Sequence, residues 1–149
     1  MSNSKRIWVW VGVAIVVVAV VVWVARMFMP KKPVALNPSP VFAPQGQLVP
    51  EFPKSLILDS NAAVSDSYSI NYSSSTNQYT AVYDSSSTVT ALYNQYKEYL
   101  PANGWTITND ITKYSTSRGL YASNASSDVA VGIVTQGIGS QTTITYLLK

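Results

Sequence analysis

Histidine and cysteine are both absent from the 149 residues. Their absence removes the side chain most used as a general base near neutral pH, the thiolate nucleophile, and two of the commonest transition-metal ligands. A serine–lysine site or a pair of carboxylates is what remains for hydrolytic chemistry. The seven acids run from Glu51 to Asp128 with no spacing that gathers them beside a lysine and a serine. Asp59, Asn61 and Asp66 offer the oxygen ligands that calcium accepts. Their spacing matches no calcium loop, and Asp and Asn bonding their own backbone in turns is the simpler account. No catalytic residue, cofactor or metal is therefore assigned.

Three further patterns invite chemistry. Leu100-Pro101-Ala102-Asn103-Gly104 superficially matches a sortase sorting signal, but such signals precede a carboxy-terminal apolar segment and basic tail, and this one closes an amphipathic stretch. Asn71-Tyr72-Ser73 and Asn124-Ala125-Ser126 satisfy the glycosylation pattern, as chance allows in a chain so rich in Ser and Thr. All ten tyrosines lie beyond residue 67, amid Ser, Asn and Thr, a mixture that also serves adaptable polar recognition. Tyr93, Tyr96 and Tyr99 fall on one helical stripe, and Tyr68, Tyr72, Tyr79, Tyr83 and Tyr146 in the apolar phase of strands, so these are expected to pack in the core with hydroxyls at its rim. Tyr114 and Tyr121 are left as the candidates for a partner-binding surface.

The elements that must position these residues begin with an anchor. Ile7 to Ala25 is a run of nineteen residues without a charge, ten of them valine, about 28 Å long as a helix and close to the thickness of a bilayer's hydrocarbon core. Trp8 and Trp10 at one end, and Trp23 and Phe28 at the other, suit the headgroup boundary, where Lys5, Arg6 and Arg26 can snorkel outward. Residues 1–6 are read as a short tail and 7–29 as an uncleaved transmembrane signal anchor, because bulky Met27, Phe28 and Met29 follow where a cleavage site needs small residues. Lys5 and Arg6 nearly balance Arg26, Lys31 and Lys32 across the run. The short basic tail favours a cytoplasmic amino terminus and an extracytoplasmic carboxy-terminal domain, in a single-pass protein of the cell membrane.

The net charge of +3 belongs to these flanks. Residues 1–50 carry five bases and no acid, whereas residues 51–149 carry seven acids against five bases. The domain thus lacks the basic stripe that phosphate backbones require, and nucleic acid is excluded as a partner.

Seven of the eight prolines lie between Pro30 and Pro53, which reads as an extended linker spanning 30–53. Residues 54–149 then form one small domain. Leu56-Ile57-Leu58 reads as a short edge strand. Tyr68, Ile70 and Tyr72, then Tyr79, Ala81 and Tyr83, alternate with polar residues as two strands of a hairpin. Val89, Leu92, Tyr93, Tyr96, Tyr99 and Leu100 form one helical stripe, capped by Ser86 or Ser87 and stopped by Pro101, with Asn103-Gly104 beyond. Strands are expected from Trp105, near Leu120 to Ser123, and over Val129 to Thr135 and Thr142 to Leu148, the last two joined across Gly137-Ile138-Gly139-Ser140. The sum is an α+β fold of two layers, one helix packed on an antiparallel sheet.

Val89, Leu92, Tyr93, Tyr96 and Leu100 followed by Asn103-Gly104-Trp105 resemble the helix-to-strand segment of small, mostly uncharacterised extracytoplasmic domains of bacterial lipoproteins and membrane-anchored proteins. The resemblance covers about twenty residues and implies a fold, not an activity. Without a lipid-bearing cysteine, the apolar helix has to serve as the anchor. The expected function is a non-enzymatic, membrane-tethered binding or structural module whose partners are the lipid bilayer and an envelope protein or polymer. An accessory subunit of a membrane complex is the second expectation and a hydrolase the third.

Overall fold

The computed structural model describes residues 38–73 and 75–149. The anchor 7–29 and its flanking Lys5, Arg6, Trp8, Trp10, Trp23 and Arg26 lie outside the described residues, among which no helix is long and apolar enough to cross a membrane.

Seven strands form one sheet: β1 (Val41–Phe42), β2 (Ala63–Asn71), β3 (Asn77–Ser85), β4 (Thr106–Ile111), β5 (Ser117–Ser123), β6 (Ser127–Gln136) and β7 (Gly139–Leu148). Their spatial order is β1-β2-β3-β7-β6-β5-β4, and every neighbouring pair is antiparallel. The chain leaves β3 through α1 (Val89–Ala102), the one α-helix among the described residues, reaches the far edge at β4, and returns as a meander that closes β7 against β3. One helix on an antiparallel sheet is the expected α+β arrangement.

α1 forms where the apolar stripe put it. Val89, Leu92, Tyr93, Tyr96 and Leu100 are buried. The capping oxygen comes from Thr88, which accepts from Ala91 N at 3.2 Å, and not from Ser86 or Ser87. The residues before it tie the connection down: the Ser85 hydroxyl accepts from Ser87 N at 2.9 Å and donates to Asp59, and the Ser87 carbonyl accepts from Ser140 Oγ at 2.7 Å. At the other end Pro101 sits inside the last turn, where its ring does not stop the helix. Termination falls to Gly104 at φ 81°. Trp105 N bonds Leu100 O at 3.0 Å and Gly104 N bonds Pro101 O at 3.2 Å, the paired bonds of a Schellman motif.

α1 covers the β4, β5 and β6 side of the sheet. The remainder is roofed by residues 38–58, and here the structure departs from the sequence reading. The second half of the expected linker is a packed arm: β1 pairs with β2, and Val49 and Phe52 join the core at 4% exposure each. Leu56 is buried too, but in a 3-10 turn over Lys54–Leu56 and not in an edge strand; β1 takes that edge. The arm is stitched down by polar bonds. Ser67 Oγ accepts from Val49 N at 3.1 Å and donates to Thr80 O at 2.9 Å. Tyr96 donates its proton to Leu56 O at 2.6 Å, which leaves Tyr83 as donor in the 2.9 Å bond between the two hydroxyls.

A second departure concerns β2. Directly paired residues share a face, and Val64 pairs with Tyr83 on the helix side. A bulge between Val64 and Asp66 then shifts the register, so that Ser67 faces Ala81, Ser69 faces Tyr79, and Tyr68 faces Thr80. One extra residue exchanges the faces of everything after it. Tyr68, Ile70 and Tyr72, expected in the core with Tyr79 and Tyr83, therefore fall on the opposite side of the sheet, where the Tyr68 ring lies 5.4 Å from that of Phe42.

Candidate functional site

That opposite side has no covering element among the described residues. Tyr121 stands on it from β5, one strand in from the β4 edge. It pairs with Ala130, which pairs with Thr145, which pairs with Thr80, and it is 47% exposed. The adjacent row runs Gly119, Gly132, Thr143. Two glycines and an alanine in neighbouring rows leave a trough that Tyr121 stands beside. One groove of about 470 Å³ is lined by Tyr121, Ala130, Thr145, Leu147 and Gln78 among others. A second of about 280 Å³ continues from it past Gly119, Gly132 and Ile111. A cavity of the first size falls within the range of about 300–1,000 Å³ used by small-molecule sites. The lining is mainly apolar, with Thr, Gln and Ser hydroxyls and amides spaced along it.

Tyr114, the other candidate, is 54% exposed on the loop between β4 and β5, with Lys113 Nζ 5.3 Å from its ring centroid. It lines neither groove. The structure thus brings Tyr121 into a built surface and leaves Tyr114 apart from it. The flanking rows escaped sequence reasoning because Gly119, Ala130 and Gly132 carry no functional signal by type.

The charged groups that do converge lie on the helix side. A bulge between Ile107 and Asn109 turns Asp110 toward α1. Tyr93 donates to its two carboxylate oxygens at 2.6 and 2.7 Å. Lys97 Nζ lies 2.9 Å from Asp110 and 3.1 Å from the Tyr93 hydroxyl, and the Arg118 guanidinium stacks 4.9 Å from the Tyr93 ring. The Tyr93 bond and then the Lys97 ammonium hold the Asp110 carboxyl below the usual carboxylate range. No serine joins this group, and only Arg118 among its members also lines a groove, the smaller one, so it reads as a clamp between helix and edge strand. Its stabilisation is present above the ordinary aspartate pKa near 3.9 and disappears as pH falls through the lower folded value. We expect Asp110→Asn to flatten the acid limb of a stability–pH curve, measured by urea midpoints from pH 6 to pH 2; an unchanged limb would remove the clamp from the account.

Asp59 is spent on turns: Oδ1 accepts from Asn61 N at 2.8 Å, and the other oxygen accepts from Ser85. Asp66 lies apart on β2. Among the described residues no group of three His, Cys, Asp or Glu side chains is placed to hold a metal. Asn124 Oδ1 accepts from Ser126 N at 3.0 Å and Ser127 N at 2.9 Å, which makes it the organiser of the β5–β6 turn. Leu100 to Gly104 closes α1 as described. Compared with protein-family models, curated proteins and solved structures, the chain matches none of them.

Proposed function

We propose that the chain is a non-enzymatic binding module of the cell envelope, tethered by the apolar run 7–29 with its amino terminus in the cytoplasm and residues 38–149 outside, and that it grips an envelope partner with the open face of its sheet. The observation that carries this reading is the uncovered trough beside Tyr121. A sheet face with Tyr121, Leu147, Ile111 and Val134 on it, and no layer over it among the described residues, is a surface for another molecule. The bulge in β2 extends the same face by placing Tyr68 and Ile70 there. The lack of His and Cys and the scattering of the acids favour binding over catalysis.

The chain has no native cysteine, so a single one at Ser123, on the rim of the larger groove, can be addressed without background. A membrane-impermeant thiol-to-amine crosslinker applied to intact cells is expected to give a discrete higher-mass adduct. Gly132→Val in the same background should abolish it. A Cβ there meets nothing within 4 Å and a β-branched residue suits a strand, so valine is expected to narrow the trough with the fold retained, which thermal melting of the variant checks. Cysteine at Gln95, on the solvent side of α1, should be labelled and give no adduct. Labelling only after lysis would place the domain in the cytosol, and an adduct indifferent to Gly132→Val would dismiss the open face.

A further inference from the structure

On the helix side of the sheet, at the end of the β2–β3 hairpin, the arm overhangs a niche of about 460 Å³. Its walls are unlike those of the trough. Glu51, Ser69, Asn71, Asn77 and Tyr79 all line it, with Val41 at the rim. Register places Ser69 opposite Tyr79, and Asn71 opposite Asn77, on one face, and the arm brings Glu51 over them. Ser69 and Asn71 spend no side-chain hydrogen bond on other described residues, and only one Glu51 oxygen is engaged, by the Tyr79 hydroxyl at 2.5 Å.

Glu51 is held there against its own preference. Phe52 N bonds Val49 O at 3.3 Å, closing a turn with Pro50 second and Glu51 third. Glu51 has φ 70°, and no other non-glycine among the described residues has a positive φ. This is the type II geometry, in which the third position favours glycine or asparagine. A glutamate there carries backbone strain of the kind that collects at ligand sites. The turn leaves the carboxylate overhanging the niche.

We propose that this niche is a binding site for a neutral saccharide. A sugar hydroxyl both donates and accepts, and the niche answers with groups of both kinds: carboxylate oxygens that accept, a serine hydroxyl that does either, and two planar amides that do both along adjacent edges. Adjacent hydroxyls of one ring can share the two oxygens of a carboxylate through charge-assisted bonds. No lysine or arginine lines the niche, and the Glu51 charge opposes an acidic ligand, so uronic or sulfated polymers are disfavoured. The exposed mouth at Val41, Glu51 and Asn71 leaves room for a chain to continue past the bound ring. This assignment rests on the reading of the domain as an envelope-binding module, and gives that module a polymer to recognise on the face opposite the trough.

The test uses the full chain in lipid nanodiscs, titrated calorimetrically with three probes: a glucose trisaccharide, an N-acetylglucosamine trisaccharide and a uronic-acid trisaccharide. At least one neutral probe is expected to bind saturably and the uronic probe not. Glu51→Gln and Asn71→Ala should each weaken the neutral probe about tenfold or more, the effect of losing one hydrogen bond to or beside a charged group. Both variants retain the backbone pairing, and thermal melting of each confirms that the fold is retained. Absence of saturable binding by either neutral probe, preference for the uronic probe, or affinity untouched by both substitutions would overturn the proposal. A Glu51→Gln protein that melts lower yet binds sugar as tightly would also overturn it, because the carboxylate would then serve only to pin the arm. Gly132→Val should leave sugar binding unchanged, so a failed sugar titration with an intact Ser123 adduct defeats the niche alone, and the reverse result defeats the trough alone.

Discussion

Leu92→Asp is expected to abolish cooperative folding of the domain. Leu92 is fully buried in the first turn of α1, between the helix and the sheet. Replacing it removes an apolar side chain worth about 2–3 kcal/mol of burial and puts a carboxylate where none of the neighbouring core side chains can pair with it. Water cannot follow it without parting helix from sheet, and an unpaired buried charge costs several kcal/mol more. A domain of this size has about 5–15 kcal/mol in all, so the two losses together consume most or all of it. Near-ultraviolet circular dichroism should flatten, and the melting transition should vanish or fall below room temperature. Asn94→Asp, two residues along on the exposed side of the same helix, should melt within a few degrees of the unaltered protein. A Leu92→Asp protein with a native near-ultraviolet spectrum would mean that α1 does not hold the sheet.

Leu92 was also one of the residues whose role could be read in the sequence, and the reason is periodicity. A helix covering a sheet must repeat its apolar residues every three to four positions, and Val89 to Leu100 does so without interruption. Strands β3, β6 and β7 alternate just as plainly, and Gly137 at φ 56° followed by Ile138 makes the two-residue turn between the last two. The arm was illegible for a different reason. Its buried contacts, Val49, Phe52 and Leu56, stand three and four residues apart, but Pro50 and Pro53 between them bar a helix, so the spacing named no element and the segment packs as an irregular strap. The serines of β2 were misread on the same ground: Ser67 is buried at 1% exposure because it must accept the Val49 amide as the arm crosses, a demand set by a segment eighteen residues away.

The candidate sites divide along the same line. Tyr121 was left as a candidate because neither the helical stripe nor the apolar phase assigned to the strands claimed it, and the structure places it on the open face at 47% exposure. The trough beside it depends on what is missing from Gly119, Ala130 and Gly132, and small side chains announce nothing until register brings them together. In β2 the bulge falls in Val64-Ser65-Asp66, with no glycine or proline to mark it, yet it decides that Tyr68 and Ile70 serve the open face and Ser69 and Asn71 the niche. Glu51 was equally silent. The proline before it hints at a turn, but only the positive φ reveals that the turn sets a carboxylate over hydrogen-bonding side chains.

Gly139→Ala is expected to lower the melting temperature by roughly 10 °C or more, and the cause is contact with backbone. A Cβ built on Gly139 would stand 2.1 Å from the Ser85 carbonyl oxygen and 3.1 Å from Ser86 Cα. Neither is the end of a flexible side chain, so relief requires the start of β7 and the β3–α1 connection to move apart. That connection is tightly held. Ser140 Oγ bonds Ser87 O at 2.7 Å, Ser85 is tied to Asp59, and one residue later Thr88 caps the helix. Displacing the segment therefore strains the β3–β7 pairing and the helix start together. Overpacking against side chains costs about 1–3 kcal/mol, and opposition by backbone on both sides places this substitution at or beyond the top of that range, with each kcal/mol worth about 4–8 °C in domains near 100 residues. Gly132→Ala is the matched comparison: the same added methyl meets nothing within 4 Å, in a strand interior where alanine is no worse than glycine, and its melting temperature should hold or rise slightly. Equal melting of the two variants would show that the β3–α1 connection does not press on β7, and the helix would then lack the seat that fixes it over β4, β5 and β6.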